Sequence, residues 1–163
     1  MKTFFKEKYF TNQACNIISI LFCQFLDSNE SLDILINNAG LFLDFDSEKI
    51  LTQDGNELTI QSNHLGHFLL TNLLMEKLEE TPGSRIVNVS SIGHKESKYE
   101  KFDVDDLNFE KNDNTYNGFS AYVNSKLANI LFTRELAKRL KNTTAYCLHP
   151  GVIETEITRN FNR

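Results

Sequence analysis

Apolar residues along this chain fall into two rhythms. Three short runs stand at Leu32-Asp33-Ile34-Leu35-Ile36, Arg85-Ile86-Val87-Asn88-Val89 and Ala145-Tyr146-Cys147-Leu148, each followed by small or polar residues. Short runs of this kind, rich in branched side chains, predict buried strands. Along Glu57 to Glu79, by contrast, Leu58, Leu65, Phe68, Leu69, Leu73 and Leu78 recur as the apolar face of a long helix requires. Thr81-Pro82-Gly83 would end that helix. A second helix is predicted to carry Tyr122 and run to Leu140, with Ser120 as its N-cap and Asn142 to Thr144 closing it. A third, Ala14 to Leu26, precedes the first strand, and residues 1–13 carry no period and read as a tail. Leu41 to Asp46 reads as a loop and Asp54-Gly55 as a turn. Strands alternating with helices at these lengths argue for βαβ units, a parallel sheet and a single α/β domain.

In an open parallel sheet, ligands lie outside the carboxyl ends of the strands. Here the first strand runs into Asn37-Asn38-Ala39-Gly40, the second into Ser90-Ser91, and the third into His149-Pro150-Gly151-Val152-Ile153-Glu154-Thr155. The predicted second helix adds Tyr122-Val123-Asn124-Ser125-Lys126, a phenol and an ammonium four residues apart. That spacing is a rise of about 6 Å on one helical face, so the two groups are neighbours. A phenol with its ordinary pKa near 10 is a poor proton donor or acceptor at neutral pH. A cation within ~4–6 Å favours the phenolate, and a drop of about 2 units needs ~2.7 kcal/mol of differential stabilisation. The pair is therefore a candidate acid–base for a hydroxyl or carbonyl substrate. Taken alone, the same two residues also fit an ordinary solvated helix face.

The connection from Ser91 to Tyr122 is long for a compact domain. It reads either as one side of a substrate entrance or as a surface insertion with a short helical turn. The 163 residues are 40% hydrophobic and carry a net charge of −5, which gives no reason to expect nucleic acid or an anionic membrane as partner. Cys15, Cys23 and Cys147 have no metal-ligand spacing and leave one thiol unpaired, as in a reducing compartment. His64 and His67 stand three apart without a third ligand, so no metal is expected. No Gly-x-Ser-x-Gly turn surrounds Ser91, which argues against a serine hydrolase. Ile17 to Leu26 is too short an apolar stretch to span a bilayer.

Asn37-Asn38-Ala39-Gly40, the set Asn63, Ser91, Tyr122 and Lys126, and the Pro150-Gly151 turn followed by Thr155 occur in the order found in the short-chain dehydrogenase/reductase family, which this chain resembles. Asn63-His64-Leu65-Gly66-His67-Phe68, Val87 to Ser91 and Ser125 to Asn129 look most like its retinol dehydrogenase-like branch. The resemblance runs from Ala14 to Thr158. It implies a doubly wound Rossmann-like fold and hydride transfer between NAD or NADP and a small hydrophobic alcohol, aldehyde or ketone, with NADP slightly favoured. Tyr122 would move the proton, and Lys126 would acidify it and bind the nicotinamide ribose. Ser91, rather than Ser90, would hold the substrate oxygen, and Asn63 would hold a water in a proton relay. Asn38, Ala39 and Gly40 would let the backbone approach the cofactor, and Pro150, Gly151, Ile153 and Thr155 would meet its nicotinamide end. The resemblance also implies a homodimer through the Asn63 and Tyr122 helices, while the reduced cysteines suit a reducing compartment such as the cytoplasm or the cytoplasmic face of the endoplasmic reticulum.

The family's glycine-rich loop, Thr-Gly-x-x-x-Gly-x-Gly, is not found among these residues, where Gly40, Gly55, Gly66, Gly83, Gly93, Gly118 and Gly151 stand far apart. Such a loop binds the cofactor pyrophosphate through backbone N–H groups and a helix N-terminus. The expected fold is thus an incomplete Rossmann-like unit whose first βαβ half is missing. A second reading follows, in which the chain is a non-catalytic remnant serving as an interaction module.

Overall fold

Branched residues in the three short runs form strands, and the register shows which face each side chain takes. The computed structural model describes Phe25 and residues 30–98, 102–111, 116–152 and 157. Among these, β1 (Ile34–Asn37), β2 (Arg85–Val89) and β3 (Thr144–Leu148) build a three-stranded sheet in the order β1-β2-β3. Both pairings are parallel, with Leu35 opposite Ile86 and Ile86 opposite Ala145. This is the α/β arrangement that the strand–helix alternation predicts. The first strand starts two residues later than the apolar run, because Leu32 and Asp33 precede the ladder.

Alternation along each strand sends Leu35, Ile86 and Ala145 to one face, where they pack with Leu74, Leu78, Leu136 and Phe132 from the helices. The opposite face is open among the described residues: Ile34 is 47% and Ile36 60% exposed, and Tyr146 and Leu148 are exposed as well. A doubly wound sheet has both faces covered, so the described residues supply one helical layer of such a fold. The predicted Ala14–Leu26 helix lies outside the described residues except for Phe25, which is helical and packs against the core.

The predicted Glu57–Glu79 helix is three segments: α1 (Leu58–Ile60), a π-helical turn (Gln61–Leu65) and α2 (Gly66–Glu80). Glu57 caps α1, its Oε2 accepting from the Ile60 N–H at 2.7 Å. The π turn is a local widening that shifts the backbone pairing by one residue, a device often found at functional sites. Its centre is Asn63. Helix α2 ends at Thr81, where the sequence places its break.

Helix α3 spans Gly118–Ala137, earlier at both ends than expected. Its cap is Asn117 rather than Ser120, with the Asn117 side chain accepting from the Ser120 N–H at 2.7 Å. Asn117 was hidden because it closes a polar stretch, whereas Ser120 stands directly before the apolar run. The start of α3 packs hard onto the loop after β1. A Cβ at Gly118 would stand 2.3 Å from the Asp44 carbonyl oxygen and 2.5 Å from that of Leu43. Alanine normally improves a helix by up to about 1 kcal/mol over glycine. Overpacking against fixed backbone costs about 1–3 kcal/mol and should prevail here. Gly118→Ala is therefore expected to lower the denaturant midpoint, and a stabilised variant would contradict this packing.

The described part of the Ser91–Tyr122 connection is not a free loop. A 3-10 helix covers Ile92–Lys98. Asn108 accepts from the Glu57 N–H at 2.8 Å, Phe109 is buried edge-on against Tyr116, and the Tyr116 hydroxyl donates to Glu57 at 3.1 Å. Burial and the Glu57 carboxylate hold the Tyr116 phenol in its protonated form. This stretch braces the start of α1, a role closer to the insertion reading than to an entrance.

Candidate active site

Three parallel strands place their carboxyl ends side by side, and α3 presents its polar stripe to them. Lys126 is only 3% exposed, and its Nζ donates to the Val89 carbonyl at 3.2 Å. Burial lowers its pKa to about 8, because a desolvated ammonium lacks the hydration that stabilises charge. Cys147 would pull the other way as a thiolate, but burial raises that thiol too, so it stays protonated at neutral pH. The Lys126 Nζ lies 5.6 Å from the centre of the Tyr122 ring. The four-residue spacing thus does bring the cation beside the phenol, on the half-buried side of α3 and not on a solvated face.

The two serines separate cleanly. Ser90 is buried, and its hydroxyl donates to the Lys126 carbonyl at 2.8 Å, which ties β2 to α3. Ser91 is partly exposed and accepts from the Gly93 N–H at 3.1 Å. A Cβ at Gly93 would meet the Ser91 Oγ at 3.4 Å and the Tyr122 Cε1 at 3.6 Å, so hydroxyl and phenol ring border one point. Of the pair, Ser91 is the partly exposed one, and it borders the Tyr122 ring.

Asn63 ties two elements together. Its side chain is committed to protein: Oδ1 accepts from the Leu41 N–H at 2.8 Å, while Nδ2 donates to the Leu41 carbonyl at 2.9 Å and to Ser125 Oγ at 3.0 Å. Ser125 in turn donates to the Tyr122 carbonyl at 2.7 Å. The amide is a clamp between the loop after β1 and the turn bearing Tyr122, with both N–H groups of Nδ2 engaged and one acceptor position of Oδ1 remaining. The Asn63 backbone carbonyl, in the π turn, accepts from Asn129 Nδ2 at 3.0 Å.

On the cofactor side, Asn38, Ala39 and Gly40 are exposed at the end of β1. A Cβ on Gly40 would stand 3.2 Å from Asn63 Oδ1 and 3.5 Å from Lys126 Nζ, so glycine keeps the backbone close to both. Pro150 and Gly151 are exposed beyond β3, and Gly151 has φ +93°, a conformation that favours glycine. Ile153 and Thr155 lie outside the described residues. The fit to a nicotinamide dinucleotide is thus partial: a recessed ammonium and a side-chain-free strand end converge on one spot.

Several residues that hold this site have no obvious sequence signal. Asn37 donates to Thr71 at 2.9 Å and to Asn88 at 2.7 Å, and Asn88 donates to Thr133 at 2.9 Å, a buried polar ladder from β1 across β2 to α3. Such groups are normally paired, since a buried unpaired amide costs about 1–3 kcal/mol, and in this ladder the Asn37 side-chain oxygen is the atom without a partner among the described residues. The one readable hint was the spacing of Tyr122, Lys126, Asn129 and Thr133 by three and four, a polar stripe on a helix that otherwise buries apolar residues. Phe42 stacks on Tyr122 at 4.4 Å, and Phe45 stacks on Phe119 at 5.1 Å beside it, forming an aromatic wall. The two neighbouring histidines diverge: His64 Nδ1 meets Asn129 Oδ1 at 2.9 Å, and His67 is buried elsewhere. Among the described residues no cluster of His, Cys, Asp and Glu could hold a metal, and no helix is long and apolar enough to cross a membrane. Cys147 is a free thiol, while Cys15 and Cys23 lie outside the described residues.

Known proteins are similar to this chain. The family model described as short chain dehydrogenase matches residues 17–101. Retinol dehydrogenase 11 of Mus musculus is 49% identical over 137 residues, covering 83% of this chain and 40% of the relative. Retinol dehydrogenase 14 of Homo sapiens is 49% identical over 144 residues, covering 86% and 40%. An uncharacterised protein from Mycobacterium paratuberculosis superposes with a TM-score of 0.66 at 39% identity, over 88% of this chain and 50% of that one. A short chain dehydrogenase from Shigella flexneri, solved with NADP, superposes with a TM-score of 0.64 at 20% identity, over 94% and 57%, and speaks to the fold alone. The chain spans about 40% of the length of the curated relatives it matches. With its strand ends and polar helix stripe arranged as above, the chain belongs to the short-chain dehydrogenase family, in its retinol dehydrogenase-like branch.

Proposed function

We propose that this chain carries the proton-transfer part of an oxidoreductase acting between NAD(P) and a hydrophobic alcohol, aldehyde or ketone, with Tyr122 as the proton donor and acceptor. The observation that carries the reading is the buried Lys126 ammonium beside the Tyr122 ring, with Ser91 bordering the same point. A bound nicotinamide would supply a hydride to a carbonyl carbon, or accept one from a carbinol carbon. In reduction, the Tyr122 hydroxyl releases its proton to the substrate oxygen, which becomes the alcohol. In oxidation, the phenolate takes that proton back. Ser91 donates a hydrogen bond to the same oxygen and stabilises the charge that develops there. Lys126 offsets the negative charge left on Tyr122. The Asn63 clamp keeps the Tyr122 turn at a fixed distance from the end of β1.

The aromatic wall of Phe42, Phe45 and Phe119 favours an apolar substrate body. The printed names of the relatives, retinol dehydrogenases, agree with that class. NADP is the favoured coenzyme on the branch resemblance. A homodimer through the helices of Asn63 and Tyr122 belongs to the same reading, with Leu131 exposed on α3. The test is a turnover assay on the chain joined to a glycine-rich half from a relative, with NADPH or NADH and long-chain aldehydes. Cofactor-dependent carbonyl reduction is expected, and a folded, cofactor-binding hybrid without it would refute the reading.

The sheet face left open among the described residues and the wide spacing of the glycines favour a second reading, that of an interaction module. A pyrophosphate loop contributes several charge-assisted hydrogen bonds of about 1.5–3 kcal/mol each. The 163-residue chain alone is therefore expected to bind NADH and NADPH very weakly. Fluorescence titration showing micromolar binding would overturn this expectation.

A further inference from the structure

Strand β2 runs out into Ser90-Ser91, and the 3-10 helix follows at once from Ile92. Ser91 is gripped by that turn at two atoms. Its hydroxyl oxygen accepts from the Gly93 N–H at 3.1 Å. Its backbone carbonyl accepts twice from one residue, from the His94 N–H at 3.1 Å and from the His94 ring Nδ1 at 2.6 Å. A carbonyl oxygen only accepts, so the ring carries a proton on Nδ1. A 3-10 turn closes with its backbone bond alone, and the ring bond is an addition to it. Gly93, between the two, lies against α3: a Cβ there would meet Val123 Cγ1 at 3.5 Å and Tyr122 Cε1 at 3.6 Å. A hydroxyl has one donor and two acceptor positions. The Gly93 N–H takes one acceptor position of Ser91, and among the described residues the Ser91 proton has no acceptor.

We propose that His94 is a positioning residue for Ser91: its ring, by holding the Ser91 carbonyl, keeps the Gly93 N–H on the Ser91 hydroxyl oxygen and so leaves the hydroxyl proton for a substrate oxygen beside Tyr122. The proposal rests on the reading of Ser91 as hydrogen-bond donor to that oxygen. His94 acts through Ser91 and needs no contact with the reacting atoms. The mechanism is local. Turning the Ser91–Ile92 peptide moves the Ser91 carbonyl and swings the Gly93 N–H away from the hydroxyl, so a bond that fixes the carbonyl fixes both. A serine released from that N–H is free to turn its hydroxyl to nearby backbone groups, as serines in turns commonly do. A donor already aimed at the developing charge needs no reorganisation during reaction. Asparagine presents a side-chain N–H as many bonds from Cα as the histidine Nδ1, and it can replace the ring bond. Leucine occupies the place without a donor.

The test compares the parent with His94→Leu and His94→Asn. In NMR spectra of the 163-residue chain, the parent His94 ring should carry its proton on Nδ1. The Gly93 amide should exchange about two- to tenfold faster in His94→Leu, as the loss of one hydrogen bond implies, and return to the parent rate in His94→Asn. In the hybrid with the glycine-rich half, His94→Leu should lower kcat about 10- to 100-fold with KM little changed, and asparagine should recover most of the loss. Added to Ser91→Ala, the leucine change should cost nothing further, because the two residues act as one unit. A ring protonated on Nε2 alone, equal Gly93 exchange in all three forms, or a full further loss in the double variant would overturn the proposal. Should the leucine form fail to fold, the tautomer of the parent ring decides by itself. Parent turnover in Ser91→Ala would instead refute the reading of Ser91, while the Gly93 amide still decides what His94 holds.

Discussion

Tyr122→Phe, in a form joined to the glycine-rich half, should lower kcat by about 10²- to 10⁴-fold, the usual contribution of a positioned acid–base. Cofactor affinity should stay nearly unchanged. The ring stacks on Phe42 and the turn is held through the Tyr122 carbonyl, and phenylalanine keeps both. Only the proton is lost. A variant that turned over at more than a tenth of the parent rate would remove Tyr122 from its assigned role. A variant that bound cofactor much more weakly would show instead that the hydroxyl acts in binding.

Lys126→Met should move stability and turnover in opposite directions. The Lys126 pKa is lowered from 10.5 to about 8 by burial, so the folded protein carries the charged form at a cost. That difference corresponds to about 3 kcal/mol of instability while both folded and unfolded chains are protonated. The sign follows from proton counting. Between pH 8 and 10.5 the unfolded chain binds the extra proton, so stability rises with pH across that window. Below pH 8 the full cost is present. Methionine removes it, and the Val89 carbonyl keeps Asn129 Nδ2 as a donor at 3.3 Å. The variant should therefore be more stable at pH 7 by up to about 3 kcal/mol, with the rise above pH 8 flattened. In the hybrid with the glycine-rich half, turnover should collapse, because the phenol loses its cation. Denaturant melts from pH 7 to 10 would check the first part. A less stable variant would mean that Lys126 contributes more as a bonded, structural group than burial takes away.

The two results together bear on how the site is built. The ammonium is costly to the fold and is kept desolvated, which strengthens its effect on a neighbouring phenol. Enzymes commonly hold such destabilised groups where activity needs them.

Much of this was legible along the chain. Arg85 to Val89 is a strand end to end as its apolar run predicts, and the parallel sheet follows from the strand–helix alternation. Tyr122 and Lys126 are neighbours because four residues make about one helical turn, a local rule needing no tertiary information. Family membership rests on motifs that are themselves short and local. Where the reading fell short, the cause was long-range. The π turn at Gln61–Leu65 arises in a segment whose apolar spacing is helical throughout. What accompanies it is the Asn63 clamp on Leu41 and the bond from Asn129 to the Asn63 carbonyl, which link residues 22 and 66 positions apart. The choice of Asn117 over Ser120 as cap likewise goes with the close seat of Gly118 on Leu43 and Asp44.

Residue types and spacing alone determined which groups this protein can bring to chemistry: a phenol, a cation, two adjacent hydroxyls and a side-chain-free strand end. Tertiary structure alone decided that Ser90 is buried against α3 while Ser91 stays partly exposed, that Asn63 clamps the loop after β1, and that His67 is buried. The reason is physical: spacing within one element fixes neighbours through the backbone repeat, whereas burial and hydrogen-bond partners are settled only when separate elements pack.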